Sequence, residues 1–173
     1  MDLRKNLDFN NSIGLLVKIA GKSFEKALDL ELRDKCGLTV GQWKVIMALS
    51  FHDGQSQKEI ANQVSVDGST LVPIIDKMES EGFVQRKPNP EDRRNNNVFL
   101  TKKSKSLLDS IIQVILDVRK IITTQIPEKD LDITKAVLKK MTYNADLFIE
   151  QKSGKPNFET SSPRQKRGKI KNG

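Results

Sequence analysis

The stretch SQKEIANQVSVDGSTLVPIIDKMESEGFVQRKPNPEDRRNNNVFLT, residues 56–101, constrains the fold more than any other part of the chain, because its apolar spacing changes character within a few dozen residues. Ser56 with Glu59 three residues later has the capping-box spacing, and the short helix that follows, QKEIANQV, would bury Ile60, Ala61 and Val64. SVDGST then interrupts the pattern. Asp67, Gly68 and Ser69 supply the next start signals, and Leu71, Ile74, Ile75 and Met78 give the following helix an apolar face until Gly82 stops it. Phe83 to Lys87 and Val98 to Leu100 are short runs with β-branched and aromatic residues. The polar segment between them contains two prolines, which predicts a hairpin with a long tip.

The flanks are helical in pattern. From Asn10 to Lys35, Ile13, Leu16, Val17, Ala20, Phe24, Ala27 and Leu28 recur at spacings of three and four, and Gly37 closes this amphipathic helix. Thr39 is an N-cap candidate for a helix carrying Trp43, Ile46, Met47 and Leu49, ended by the turn HDG at 52–54. Thr101 can cap a long helix with Leu107, Leu108, Ile111, Ile112, Ile115, Val118 and Ile122, running to about Gln125. Pro127 at a first turn opens a last helix, with Leu131, Val137, Leu138, Met141, Ala145 and Phe148, to about Gln151. The predicted fold is therefore mainly α with a small β-hairpin wing, a winged helix-turn-helix flanked by long dimerisation helices. One domain spans 1–151, its DNA-binding lobe about 38–101, and 152–173 forms a basic tail of disordered composition. Three long helices exceed what so small a core needs, so the first and last are expected to bury apolar surface against a second copy in a homodimer.

Charge narrows the partner. A formal charge of +8 suits a polyanion, yet from Lys152 onward seven basic residues face Glu159 alone, so that stretch holds +6 of it. The body is nearly neutral, and the fold has to set a few cations on one face. The tail fits a solvated solubility segment or an arm that neutralises phosphate. No apolar run approaches the roughly 18 to 20 residues of a membrane span, and the opening MDLRKNLDFNN lacks a secretory pattern. Cys36 is the single cysteine, so a cytoplasmic, membrane-free protein is expected.

Enzymatic chemistry has little to work with. There is no glycine-rich phosphate loop, nucleophile elbow or HExxH, and the single histidine, His52, removes most nucleophile and base pairings and shows no metal-ligand spacing. Neither a cofactor nor a metal is expected.

LTVGQWKVIMAL, the helix-turn-helix and wing stretch above, and TKKSKSLL together resemble the MarR family of bacterial and archaeal transcription regulators, over roughly Leu38 to Leu108. The resemblance implies double-stranded DNA carrying a pseudo-palindromic site as partner. It sets an Asp-x-Arg wing element on Asp92 and Arg94, with the arginine reaching the minor groove and Asp92 steadying the loop. An arginine inserted there reads groove shape as well as charge, while Arg93 and the tip asparagine Asn95 are candidates for backbone contact. On the recognition helix it implies DNA-facing positions at Asp67, Gly68, Ser69, Thr70, Pro73 and Lys77. The sequence departs here, because family members often carry arginine or lysine where Ser69, Thr70 and Pro73 offer two hydroxyls and a ring. Ser69 and Thr70 also fit simple helix capping, and Pro73, taken to lie near the first turn, would cost little. Ser56, Gln57 and Lys58 open the preceding helix, whose first amides can receive phosphate, and Arg86 and Lys87 flank the wing. Relatives bind phenolic ligands between dimerisation helices and DNA-binding lobe, so Trp43 and Tyr143 are candidates for lining a pocket for a small aromatic effector, with core packing as the other reading. Cys36 is a candidate redox sensor or a small buried hydrophobe near a helix end.

The leading function is a sequence-specific, homodimeric DNA-binding transcription regulator, a repressor relieved by an effector or other signal. The alternatives are an architectural, nonspecific DNA-binding protein and a winged-helix protein-interaction module.

Overall fold

The structure, a computed structural model, describes residues 8–90 and 95–154. Its elements follow in the order α1 (Ile13–Cys36), α2 (Val40–Phe51), β1 (Gln55–Ser56), α3 (Gln57–Val64), α4 (Gly68–Ser80), β2 (Val84–Pro88), β3 (Asn96–Leu100), α5 (Lys102–Ile122) and α6 (Glu128–Ser153). The expected helix-turn-helix is the α3–α4 pair, and β2 and β3 form the antiparallel hairpin, pairing Val84 with Leu100 and Pro88 with Asn96. Among the described residues no helix is long and apolar enough to cross a membrane.

Caps set most of the helix starts. Thr39 accepts from the Gln42 N–H while the Gln42 side chain reaches back to Thr39, and Ser56 and Glu59 close the same reciprocal box at α3. Thr101 accepts from Ser104 at the start of α5. Gly37 takes the left-handed conformation (φ 66°) that ends α1, its N–H donating to the Arg33 carbonyl.

A third strand was not expected. β1 is two residues long and pairs with β3, making the sheet order β1-β3-β2. The HDG turn creates it: the Gly54 N–H donates to the Val98 carbonyl at 3.1 Å, and Asp53 accepts the Leu100 N–H at 2.9 Å. Buried Gln55 donates to the Ala48 and His52 carbonyls, tying the end of α2 to the sheet.

The core lies inside the lobe, where Val45, Ile46 and Leu49 of α2, Ile60, Leu71, Ile75 and Met78 of the two short helices, and Val84 and Val98 of the wing are buried. Leu32, Ile111, Val114 and Val118 extend it toward α1 and α5. The remaining helical surface is different. Ile13, Leu16, Val17, Ile19 and Phe24 of α1 are exposed, and among the described residues α6 buries no side chain. Pro127 occupies the N-cap position of α6 rather than its first turn, and α5 ends at Ile122.

Candidate nucleic-acid interface

The starts of α3 and α4 line a common cleft, and strand β2 of the hairpin is bound to α4 through Arg86. Ser56 is fixed by its cap: its N–H and hydroxyl both donate to Glu59 at 2.8 Å, and its hydroxyl accepts the Glu59 N–H. These bonds from Ser56 hold the Glu59 carboxyl below its ordinary value. The capping carboxylate occupies part of the helix end expected to receive phosphate, leaving the N–H groups of Gln57 and Lys58 and the exposed Lys58 ammonium.

At α4 the N-cap is Asp67, in extended conformation (ψ 147°) and without a side-chain cap bond, while its carbonyl accepts from Thr70 and Leu71. Ser69 and Thr70 are therefore not capping residues. They occupy the second and third helical positions, and with Asp67, Gly68, Pro73 and Lys77 they are exposed. Pro73 also corrects the expectation for it: it is the sixth residue of α4, where an amide would donate to the Ser69 carbonyl, so the proline removes an interior bond. Between α3 and α4 lies a cleft of about 370 Å³ lined by Gln57, Lys58, Asp67, Gly68 and Val72 among others, which brings four expected contact residues together.

Arg86 is engaged differently from the expected wing-flanking phosphate contact. Its Nη1 donates to Glu79 and its Nη2 to Asp76, both at 2.5 Å, and its backbone N–H donates to the second Glu79 oxygen at 2.9 Å. Only 17% of its side chain is exposed. The Arg86 backbone N–H, and then its guanidinium, hold the Glu79 carboxyl below its ordinary value against a partial burial that acts the other way. Burial lowers the Arg86 pKa, but the bonds from the two carboxylates outweigh it and leave the value raised. Lys87, next along β2, is exposed, with its ammonium 5.1 Å from the Phe99 ring centre.

Asp92, Arg93 and Arg94 lie outside the described residues. Asn95, at the start of the returning arm, is exposed, and its carbonyl accepts the Asn89 N–H at 2.9 Å. Trp43 packs against the core with its indole N–H buried and unpartnered among the described residues, while Tyr143 is 54% exposed on α6. Neither lines the cleft between α3 and α4. Cys36 is partly buried against the core, and burial pushes its thiol pKa up.

Sequence reasoning missed three positioning residues. Asp53 spans the Leu100 N–H and the Lys105 ammonium, and Asp29 on α1 accepts from the Val40 N–H and from Arg33. Gln42 donates to Glu81 at 2.8 Å, joining α2 to the end of α4. Asp53 carried a legible signal in its turn tripeptide and Gln42 in its three-residue spacing from Thr39, whereas the long-range links to Val40 and Glu81 carried none.

Residues 38–95 match the model of the MarR family. A transcriptional regulator of known structure, PA3341, is 32% identical over 78% of this chain and 98% of its own, with a TM-score of 0.68. The chain belongs to the MarR family. The transcriptional regulator SarZ of Staphylococcus haemolyticus is 32% identical over 57% of this chain and 66% of its own length. The chain thus spans just under two thirds of that curated relative. The C80S mutant of Escherichia coli MarR, whose structure is a complex with operator DNA, superposes with a TM-score of 0.70 at 25% identity, over 75% of this chain and 92% of the other.

Proposed function

We propose that this MarR-family chain is a sequence-specific DNA-binding transcription regulator, acting as a homodimeric repressor. The observation that carries the reading is the exposed face of α4, with Ser69, Thr70, Pro73 and Lys77 projecting from a helix whose opposite face, Leu71, Ile75 and Met78, is locked in the core. A helix held in that way can enter a major groove without rearranging. Gln57, Lys58 and Lys87 supply phosphate contacts, and Arg94 reaches into the minor groove with Asp92 steadying its loop. Arg86 is left out of the contact set because its guanidinium is already bound. Two such lobes bind half-sites about 34 Å apart. An effector that favours a different lobe spacing lowers affinity through its differential binding to the two states.

A second reading is architectural binding. It is favoured by the DNA-facing half of α4, where Lys77 is the only cation and lies 3.8 Å from Glu81. Selection of bound duplexes from a random pool at near-physiological salt, with Arg94→Ala in parallel, separates the readings. An enriched inverted repeat that the variant binds weakly supports the regulator. Retention without enrichment supports architectural binding, and absence of retention contradicts both.

A further inference from the structure

Asp76 and Glu79 stand three residues apart on α4, the helix that carries the proposed base-facing positions, and both are bound to one guanidinium from the wing strand β2. Two carboxylates there are an electrostatic liability for a protein that approaches phosphate. Neither packs into the core, since the Asp76 side chain is 59% exposed and that of Glu79 38%. What they do share is Arg86. Glu79 grips it twice, at the guanidinium and at the backbone N–H, and Asp76 takes its other terminal nitrogen, so the planar fork is held in a fixed orientation. Arg86 in turn sits opposite Val98 in the β2–β3 ladder, and Val98 accepts the Gly54 N–H, so the grip extends across the whole sheet.

We infer that Arg86, Asp76 and Glu79 form a clamp that fixes the wing to the recognition helix, with Arg86 as a positioning residue and not a DNA ligand. This rests on the DNA-binding reading for its functional consequence, while the clamp itself is testable without DNA. The sign of a mutational effect decides it. If Arg86 served as a phosphate contact, Glu79→Gln and Asp76→Asn would remove negative charge and release the guanidinium, so affinity would hold or rise. As a clamp, its loosening frees the wing, and affinity falls although the surface has become more positive.

The test uses the full chain with Glu79→Gln, Asp76→Asn and Arg86→Lys. Lysine keeps the charge but has no fork to span two carboxylates. Two quantities are read: affinity for the enriched duplex under conditions where circular dichroism shows each variant fully folded, and amide hydrogen exchange over residues 84–89 and 96–100 in free protein. Affinity is expected to fall roughly tenfold for Glu79→Gln and for Arg86→Lys, with faster wing exchange and unchanged exchange in α2. Affinity that holds or rises in Glu79→Gln overturns the positioning role, as does wing exchange equal to that of the parent. A residue that merely stabilised the fold would lower the unfolding midpoint without changing the affinity of folded protein. Should the parent bind no duplex, the regulator reading fails, and the exchange measurement alone still decides whether the clamp exists.

Discussion

Single side chains in this lobe act mainly through backbone groups they satisfy. Thr39 caps α2 in a reciprocal box with Gln42, so Thr39→Ala is expected to cost about 1 kcal/mol in urea unfolding, with an unchanged slope. Glu59 and Glu79 each have a folded pKa below the ordinary value, Glu59 through Ser56 and Glu79 through the Arg86 N–H. The unfolded chain then binds more protons than the folded one in acid. Their contribution is complete above the unfolded glutamate value of about 4.3 and is lost as the pH falls through the lower folded values. Urea midpoints measured from pH 7 down to pH 3 should fall, and fall less in Glu59→Gln; an equal fall in both proteins would deny Glu59 that role. Caps of this kind were legible because both partners lie three residues apart in sequence. The Arg86 clamp was not, since its partners are 7 and 10 residues away on another element, and a basic residue beside a hairpin tip looks like a phosphate ligand until its neighbours are seen.

At the scale of elements, the helices were legible from their apolar period, and the hairpin from its two β-branched runs. β1 was not, because two residues carry no period; it exists through the Asp53 and Gly54 contacts to β3. Gly54 has φ 80°, and a Cβ there would lie 2.6 Å from Phe99 Cε1. Gly54→Ala should therefore destabilise by about 2 kcal/mol in denaturant unfolding, since it strains the backbone and displaces a wing side chain together. The opposite sign is expected at Pro73, whose ring removes an interior bond of α4: Pro73→Ala should raise stability by about 1–3 kcal/mol. Its helical position was misjudged because the N-cap is Asp67, which starts the helix early enough to carry the proline into the second turn.

For the whole molecule, the decisive feature is apolar surface that the described residues leave uncovered. Val137, Leu138, Leu147 and Phe148 of α6 are all exposed, as are Leu16, Val17 and Phe24 of α1. Large apolar side chains exposed along both helices favour an interface there, and the proposed occupant is a second copy related by two-fold symmetry. Sedimentation should give a dimer at micromolar concentration, and Leu138→Asp should shift it toward monomer while the lobe keeps its fold. A wild-type monomer would remove the reading of paired half-sites. The clearest test of a symmetric dimer on DNA is the affinity for the enriched inverted repeat before and after inserting about five base pairs, half a helical turn, between its halves. Two lobes held at fixed spacing predict a loss of roughly a hundredfold or more, because only one recognition helix then meets its groove. Equal affinity for the two duplexes would contradict it.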